Sequence, residues 1–191
     1  QFTKTVNSML SEGEDAMLPV FKANDDKIEL TGLGVFKDFQ LVHIFNNEDA
    51  SVINLLNNFN TESIHFDMTC DNDKTIVIAD YNSKVSIEPG KDKLRVKAVI
   101  NARISEETCG YDFKNADTYK ELESEFEKII EKEMDKVLRK LQDSESNALN
   151  IGKSYYNKYR EKDFYLWTKQ DITYDIDLKI NKKGLTFEVE T

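Results

Sequence analysis

The sequence predicts an α+β fold, a mostly antiparallel sheet with one long helix packed on a face. Three observations lead there. Residues before Ala116 alternate apolar and polar in several short runs. From Ala116 to Asn150 the period lengthens: Tyr119, Leu122, Phe126, Ile130, Met134, Val137 and Leu141 recur every three or four residues, one stripe of a helix. After Asp171 the alternation returns. Glu121, Glu123, Glu125, Lys128, Lys132 and Lys136 fill the other side of the helix, where solvent is the expected neighbour. Glu121 with Glu125, and Glu127 with Glu131, set like charges four apart. The helix therefore leans on burial of its stripe rather than on its own ion pairs.

The elements follow in order. Val6, Met9 and Leu10 place the end of a helix over Thr3 to Leu10, and Ser11 to Asp15 stop it. Leu18 to Phe21 is extended, because the residue before Pro19 is pushed out of the α region. A turn at Ala23 to Asp26 leads into a strand or strand pair, Lys27 to Phe36, interrupted by Gly32 and Gly34. Lys37-Asp38 turns the chain into a return strand, Gln40 to Phe45. Asn47 caps a short helix carrying Val52, Ile53, Leu55 and Leu56, and Asn57, Asn58 and Asn60 end it. Ile64, Phe66 and Met68 alternate in the next strand, closed by a turn at Asp71 to Asp73. Thr75 to Glu88 and Lys93 to Ser105 form a hairpin across Pro89-Gly90. With Glu88 opposite Lys91, Val85 meets Leu94, Tyr81 meets Ala98, Ala79 meets Ile100 and Val77 meets Ala102, apolar against apolar. A longer loop shifts this register by two and keeps the face. Ile172 to Ile180 and Leu185 to Val189 give a C-terminal hairpin or two successive strands.

Length suits a single domain over residues 1–191. Eleven Phe, eight Tyr and one Trp supply bulk for a core. A net charge of −10 argues against a nucleic-acid surface, which needs clustered Lys and Arg, and against docking on an acidic leaflet. No apolar run approaches a membrane span and no signal peptide is visible. The chain opens at Gln1 rather than Met, so a processed form or an excised piece is expected.

No chemistry-bearing set converges, and no catalytic residue, cofactor or metal is expected. His43 and His65 each stand alone in an alternating strand. The acidic runs Glu12 to Asp15, Asp25-Asp26 and Asp71 to Asp73 lack the closing Glu of a calcium loop and fit turn chemistry. Gly32-x-Gly34 lacks the third glycine of a dinucleotide fingerprint. Cys70 and Cys109 fall at the same end of the sheet, and the residues alone leave a disulfide and two separate thiols open. Tyr155, Tyr156, Tyr159, Phe164, Tyr165 and Trp167 form an aromatic segment that either seals the helix end against the sheet or offers an interaction surface.

Several motifs carry a family resemblance. Asn147-Ala148-Leu149-Asn150-Ile151-Gly152, then Tyr155, Lys158-Tyr159 and Asn181-Lys182-Lys183-Gly184-Leu185, resemble the C-terminal region of the C subunit of spore germinant receptors, the Ger(x)C lipoproteins. Leu30 to Lys37 with Leu41-Val42 is similar to the Gly-x-Ala-Val-Phe segment of that family and its following strand, and Pro19 fits upstream. Asn150 stands where the family tends to have Gly, and Gly34 replaces Ala. The segment from Tyr159 to Trp167 is shorter than the family's and lacks its Pro and paired Trp.

The resemblance implies the C-terminal domain of a larger lipoprotein on the outer face of the spore inner membrane. It implies a non-enzymatic role beside receptor A and B subunits in nutrient sensing, with the lipid anchor outside this fragment. That extracytoplasmic setting favours a Cys70–Cys109 disulfide. Assembly or signalling would run through exposed sheet faces or through Tyr155, Tyr156, Tyr159 and Trp167. Two alternatives are an extracytoplasmic cell-wall hydrolase using a carboxylate pair and the aromatic segment, and a lipoprotein domain holding a small ligand against Tyr155, Tyr156 or Trp167.

Overall fold

The computed structural model describes residues 13–24, 27–59, 64–70 and 73–181. The expected helix end at Thr3 to Leu10 and the strand at Leu185 to Val189 lie outside them, as do Asn60 and most of the two acidic turns. Two sheets carry the fold. The first is antiparallel, ordered β1 (Ala16–Asn24), β2 (Lys27–Lys37), β3 (Gln40–Asn46). Helix α1 (Asn47–Leu56) follows. The second sheet is ordered β4 (His65–Thr69), β5 (Thr75–Pro89), β6 (Lys93–Glu107), β7 (Asp171–Asn181). Its first two pairings are antiparallel, and β6 with β7 is parallel. The crossover holds α2 (Ala116–Asp143), α3 (Ile151–Tyr159) and a 3-10 turn at Leu166–Lys169.

Helix α2 packs on the second sheet through the stripe read from its period: all seven of its residues are buried. Asn115 caps its start, its Oδ1 accepting from Asp117 N–H at 2.9 Å. The helix stops at Asp143 rather than running to Asn150, because Glu145 turns left-handed at φ 47° and Ser146 N–H bonds back to Leu141 O at 2.9 Å. The polar side of α2 is not all solvent. Glu127 Oε1 accepts from Leu178 N–H at 3.1 Å and Glu123 Oε1 from Ile180 N–H at 2.9 Å, covering the outer edge of β7.

The β5–β6 hairpin turns later than expected. Glu88 faces Arg95 and Val85 faces Ala98, a slip of four residues that keeps the face. Bulges at Tyr81 on β5 and Ser105 on β6 offset each other. The Tyr81 bulge swaps the buried parity of β5, from Ser83 and Val85 to Ile76 and Ile78. Val77, expected on the apolar face, therefore gives way to its neighbours, while Ala79 is buried. Gly32 and Gly34 do not interrupt β2; the irregularity is a bulge at Thr31, whose Oγ1 donates to Val20 O at 3.2 Å. The β2–β3 turn sits at Asp38-Phe39, both at positive φ, one residue on from the expected position. Asn46, not Asn47, caps α1, its Oδ1 accepting from Asp49 N–H at 2.8 Å.

Helix α1 locks onto α2 through Asp49. Its carboxylate is almost fully buried, 3.2 Å from Lys136 Nζ and in contact with Lys140 Nζ. Burial alone would push this carboxyl up; the hydrogen bonds from Lys140 and Lys136 outweigh it and hold it below its ordinary value. Its stabilisation is therefore complete above the unfolded pKa of ~3.9 and is lost as pH falls through the folded value. Both lysines reach solvent, so the pair is partly screened. Asp49→Asn should cost about 1–2 kcal/mol at pH 7, and the gap from wild type should close towards pH 3. Urea midpoints at the two pH values check both statements.

Candidate functional site

The buried acids of the described residues, Asp15, Asp49 and Asp80, are tied to structural partners. Asp15 accepts from Asn147 N–H at 2.6 Å and from Tyr165 OH at 3.3 Å. Burial and the Asp15 carboxylate push the Tyr165 hydroxyl up to about 12. Asp80, at the Tyr81 bulge, accepts from Asn82 N–H at 2.9 Å; burial lifts its carboxyl above the ordinary range, against hydrogen bonds from Ser83 and Asn82. Asp49 is engaged with Lys136 and Lys140. These three acids sit on separate elements and each has a structural partner. Among the described residues no three His, Cys, Asp or Glu side chains are grouped to hold a metal. His65 is exposed, and His43 tilts against Phe45 with ring centroids 4.5 Å apart.

The motif from Asn147 to Gly152 ties three parts of the chain. Asn147 is fully buried; its Nδ2 donates to Gly13 O and its Oδ1 accepts from Gly152 N–H at 2.8 Å. Asn150 is left-handed at φ 56°, which Asn tolerates best after Gly. A Cβ at Gly152 would collide with the Phe164 carbonyl.

The aromatic segment divides. Tyr155 and Trp167 are core residues, 2% and 0% exposed, and so are withdrawn from the expected interaction surface. The Tyr155 hydroxyl donates to Gly90 O, and Gln170 Nε2 donates to Lys91 O at 3.0 Å. Lys158 Nζ and Tyr159 OH both donate to Pro89 O, at 2.8 and 3.2 Å. The segment thus holds the β5–β6 turn in place. Tyr156 and Tyr159, 37% and 36% exposed, keep the largest share of surface, and Phe164 and Tyr165 are half-buried. The structure joins Cys70 to Cys109, with Cα atoms 6.0 Å apart, linking the end of β4 to the loop after β6.

The open apolar surface lies elsewhere, on the first sheet. Val35 and Phe45 face the core, so the alternate residues Leu18, Val20, Phe36 and Ile44 face outward. The Leu41, Phe36 and Val20 side chains close over Gly34 to within 3.1–3.3 Å of where a Cβ would stand. Leu41 and Ile44 remain about half exposed, and along β1 the same face runs on from Leu18 and Val20 to the exposed Lys22, paired with Glu29. At the far end of the same sheet Phe21, Ile28 and Leu30 are also exposed. Alternation predicts these strands; the apolar residues on both parities of β2 and β3, Phe36 beside Val35 and Ile44 beside Phe45, are the signal for a surface.

Comparison with known proteins agrees with the motifs. The family described as spore germination B3/GerAC like, C-terminal, matches residues 31–184. The crystal structure of the GerBC protein has the same fold, with a TM-score of 0.73 at 18% sequence identity over 92% of this chain. The chain covers 58% of GerBC, little more than half its length. No curated protein matches the sequence. Since the family match spans most of the chain, from β2 past the end of β7, the chain belongs to the C-terminal domain family of spore germinant receptor C subunits.

Proposed function

We propose that the chain is a non-enzymatic interaction domain of a nutrient-germinant receptor, joining receptor A and B subunits or relaying their state. The observation that carries this is the exposed apolar patch of the first sheet around Gly34, formed by Val20, Phe36, Leu41 and Ile44. Exposed apolar patches mark contact surfaces. Tyr156 and Tyr159 add a smaller exposed aromatic area. The hydrolase alternative has less support, since the buried carboxylates are engaged with structural partners. So has the small-ligand alternative, since Tyr155 and Trp167 are buried in the core and two open clefts among the described residues are lined by other side chains. We further propose that residues 1–191 fold as one domain, in keeping with a continuous apolar core from Phe45 and Ile53 to Ile130 and Trp167. The parent would be lipid-anchored on the outer face of the spore inner membrane. Among the described residues no helix is long and apolar enough to cross a membrane.

Two measurements test this reading. The folded domain should capture A or B subunits from detergent-solubilised spore membranes, and Ile44→Glu should weaken capture at least tenfold, about 1.4 kcal/mol. A folded wild-type domain that captures neither removes the interaction role. For the extracytoplasmic setting, protein purified from spores and denatured without reductant should show no titratable thiol. Reducing Cys70–Cys109 should then lower stability by about 2–4 kcal/mol in denaturant melts. Free thiols in protein from spores would contradict the location.

A further inference from the structure

We infer that the free edge of β4 is a strand-addition site, taking an extended segment of another polypeptide backbone to backbone. Among the described residues β4 has one neighbour, β5. Asp80 N–H donates to Ile64 O at 2.9 Å and Cys70 N–H to Lys74 O at 2.8 Å. In this antiparallel register those contacts assign the even residues of β4 to the β5 ladder. The N–H and C=O groups of His65, Asp67 and Thr69 therefore point the other way, with no strand partner among the described residues. His65 and Asp67 line a cleft of about 700 Å³ walled by α1 and α2.

The opposite edge of the sheet is treated differently. On β7 the outward N–H groups of Leu178 and Ile180 are taken by Glu127 and Glu123. Among the described residues no side chain does this for β4. An unpaired edge is a template for a further strand. The incoming strand would set alternate side chains on Val52 and Ile129, so the segment alternates apolar with polar residues. Lys132, which has no ion pair among the described residues, stands in the wall and favours an acidic residue there.

The probe rests on the receptor reading: detergent-purified A and B subunits, added to the full chain. Amide exchange at His65, Asp67 and Thr69 should be fast in the chain alone and at least tenfold slower with the subunits bound. Asp67→Pro removes only an outward N–H, which an edge strand tolerates; it should fold and lose capture tenfold or more. A folded Asp67→Pro chain that captures like wild type overturns the site and leaves the receptor reading standing. Capture of neither subunit by wild type removes both. If Asp67→Pro does not fold, the exchange measurement on wild type decides: unchanged exchange in the complex overturns the site. Exchange already slow in the chain alone, and released by removing residues 182–191, overturns it in favour of an edge covered by this chain itself.

Discussion

Burial of one stripe on α2 governs the architecture. A helix of 28 residues with like charges four apart has little reason to form alone. It forms because Leu122, Phe126, Ile130, Met134, Val137 and Leu141 all lose their water. A sheet must lie beneath it, and β6 presents Leu94, Val96, Ala98, Ile100, Ala102 and Ile104 in strict alternation to provide one. Side chains of this size contribute roughly 1.5–3 kcal/mol each on full burial. Polar contacts of the helix, among them Asp49 with its two lysines and the two glutamates on β7, set its position on that surface.

Period is what made the fold legible. The 3.6-residue stripe and the two-residue alternation in β4, β6 and β7 needed no knowledge of partners. What escaped had non-local or one-residue causes. The hairpin slipped four residues because every even slip preserves the face, and apolar matching cannot separate them. The Tyr81 bulge reversed the buried parity of β5, and no run of residue types marks such a step. The cap moved from Asn47 to Asn46 because two adjacent asparagines are chemically equivalent candidates.

The functional surface was less legible, for a different reason. Aromatic residues are used both to fill cores and to make interfaces, and composition does not say which. Trp167 and Tyr155 went to the core, where Tyr155 and Gln170 satisfy the carbonyls of the Gly90 turn. The family motif around Asn147 proved to be architectural: one buried amide holds Gly13 and Gly152 together, so its residue types are dictated by hydrogen bonds rather than by a ligand. The β4 edge could not be read at all, because an unpaired edge is a property of strand order and not of residue type.

The parallel pairing of β6 with β7 has a kinetic consequence. Lys93 pairs with Asp171, about eighty residues further along the chain, and such long-range closure is slow. The β4–β5–β6 meander joins strands that are near in sequence and can assemble first. Until α2 has been made and packed, the β6 edge that β7 will occupy stays open to other strands. During synthesis this domain therefore completes its sheet last at the seam where its single long helix crosses back, and that seam sets the pace of maturation.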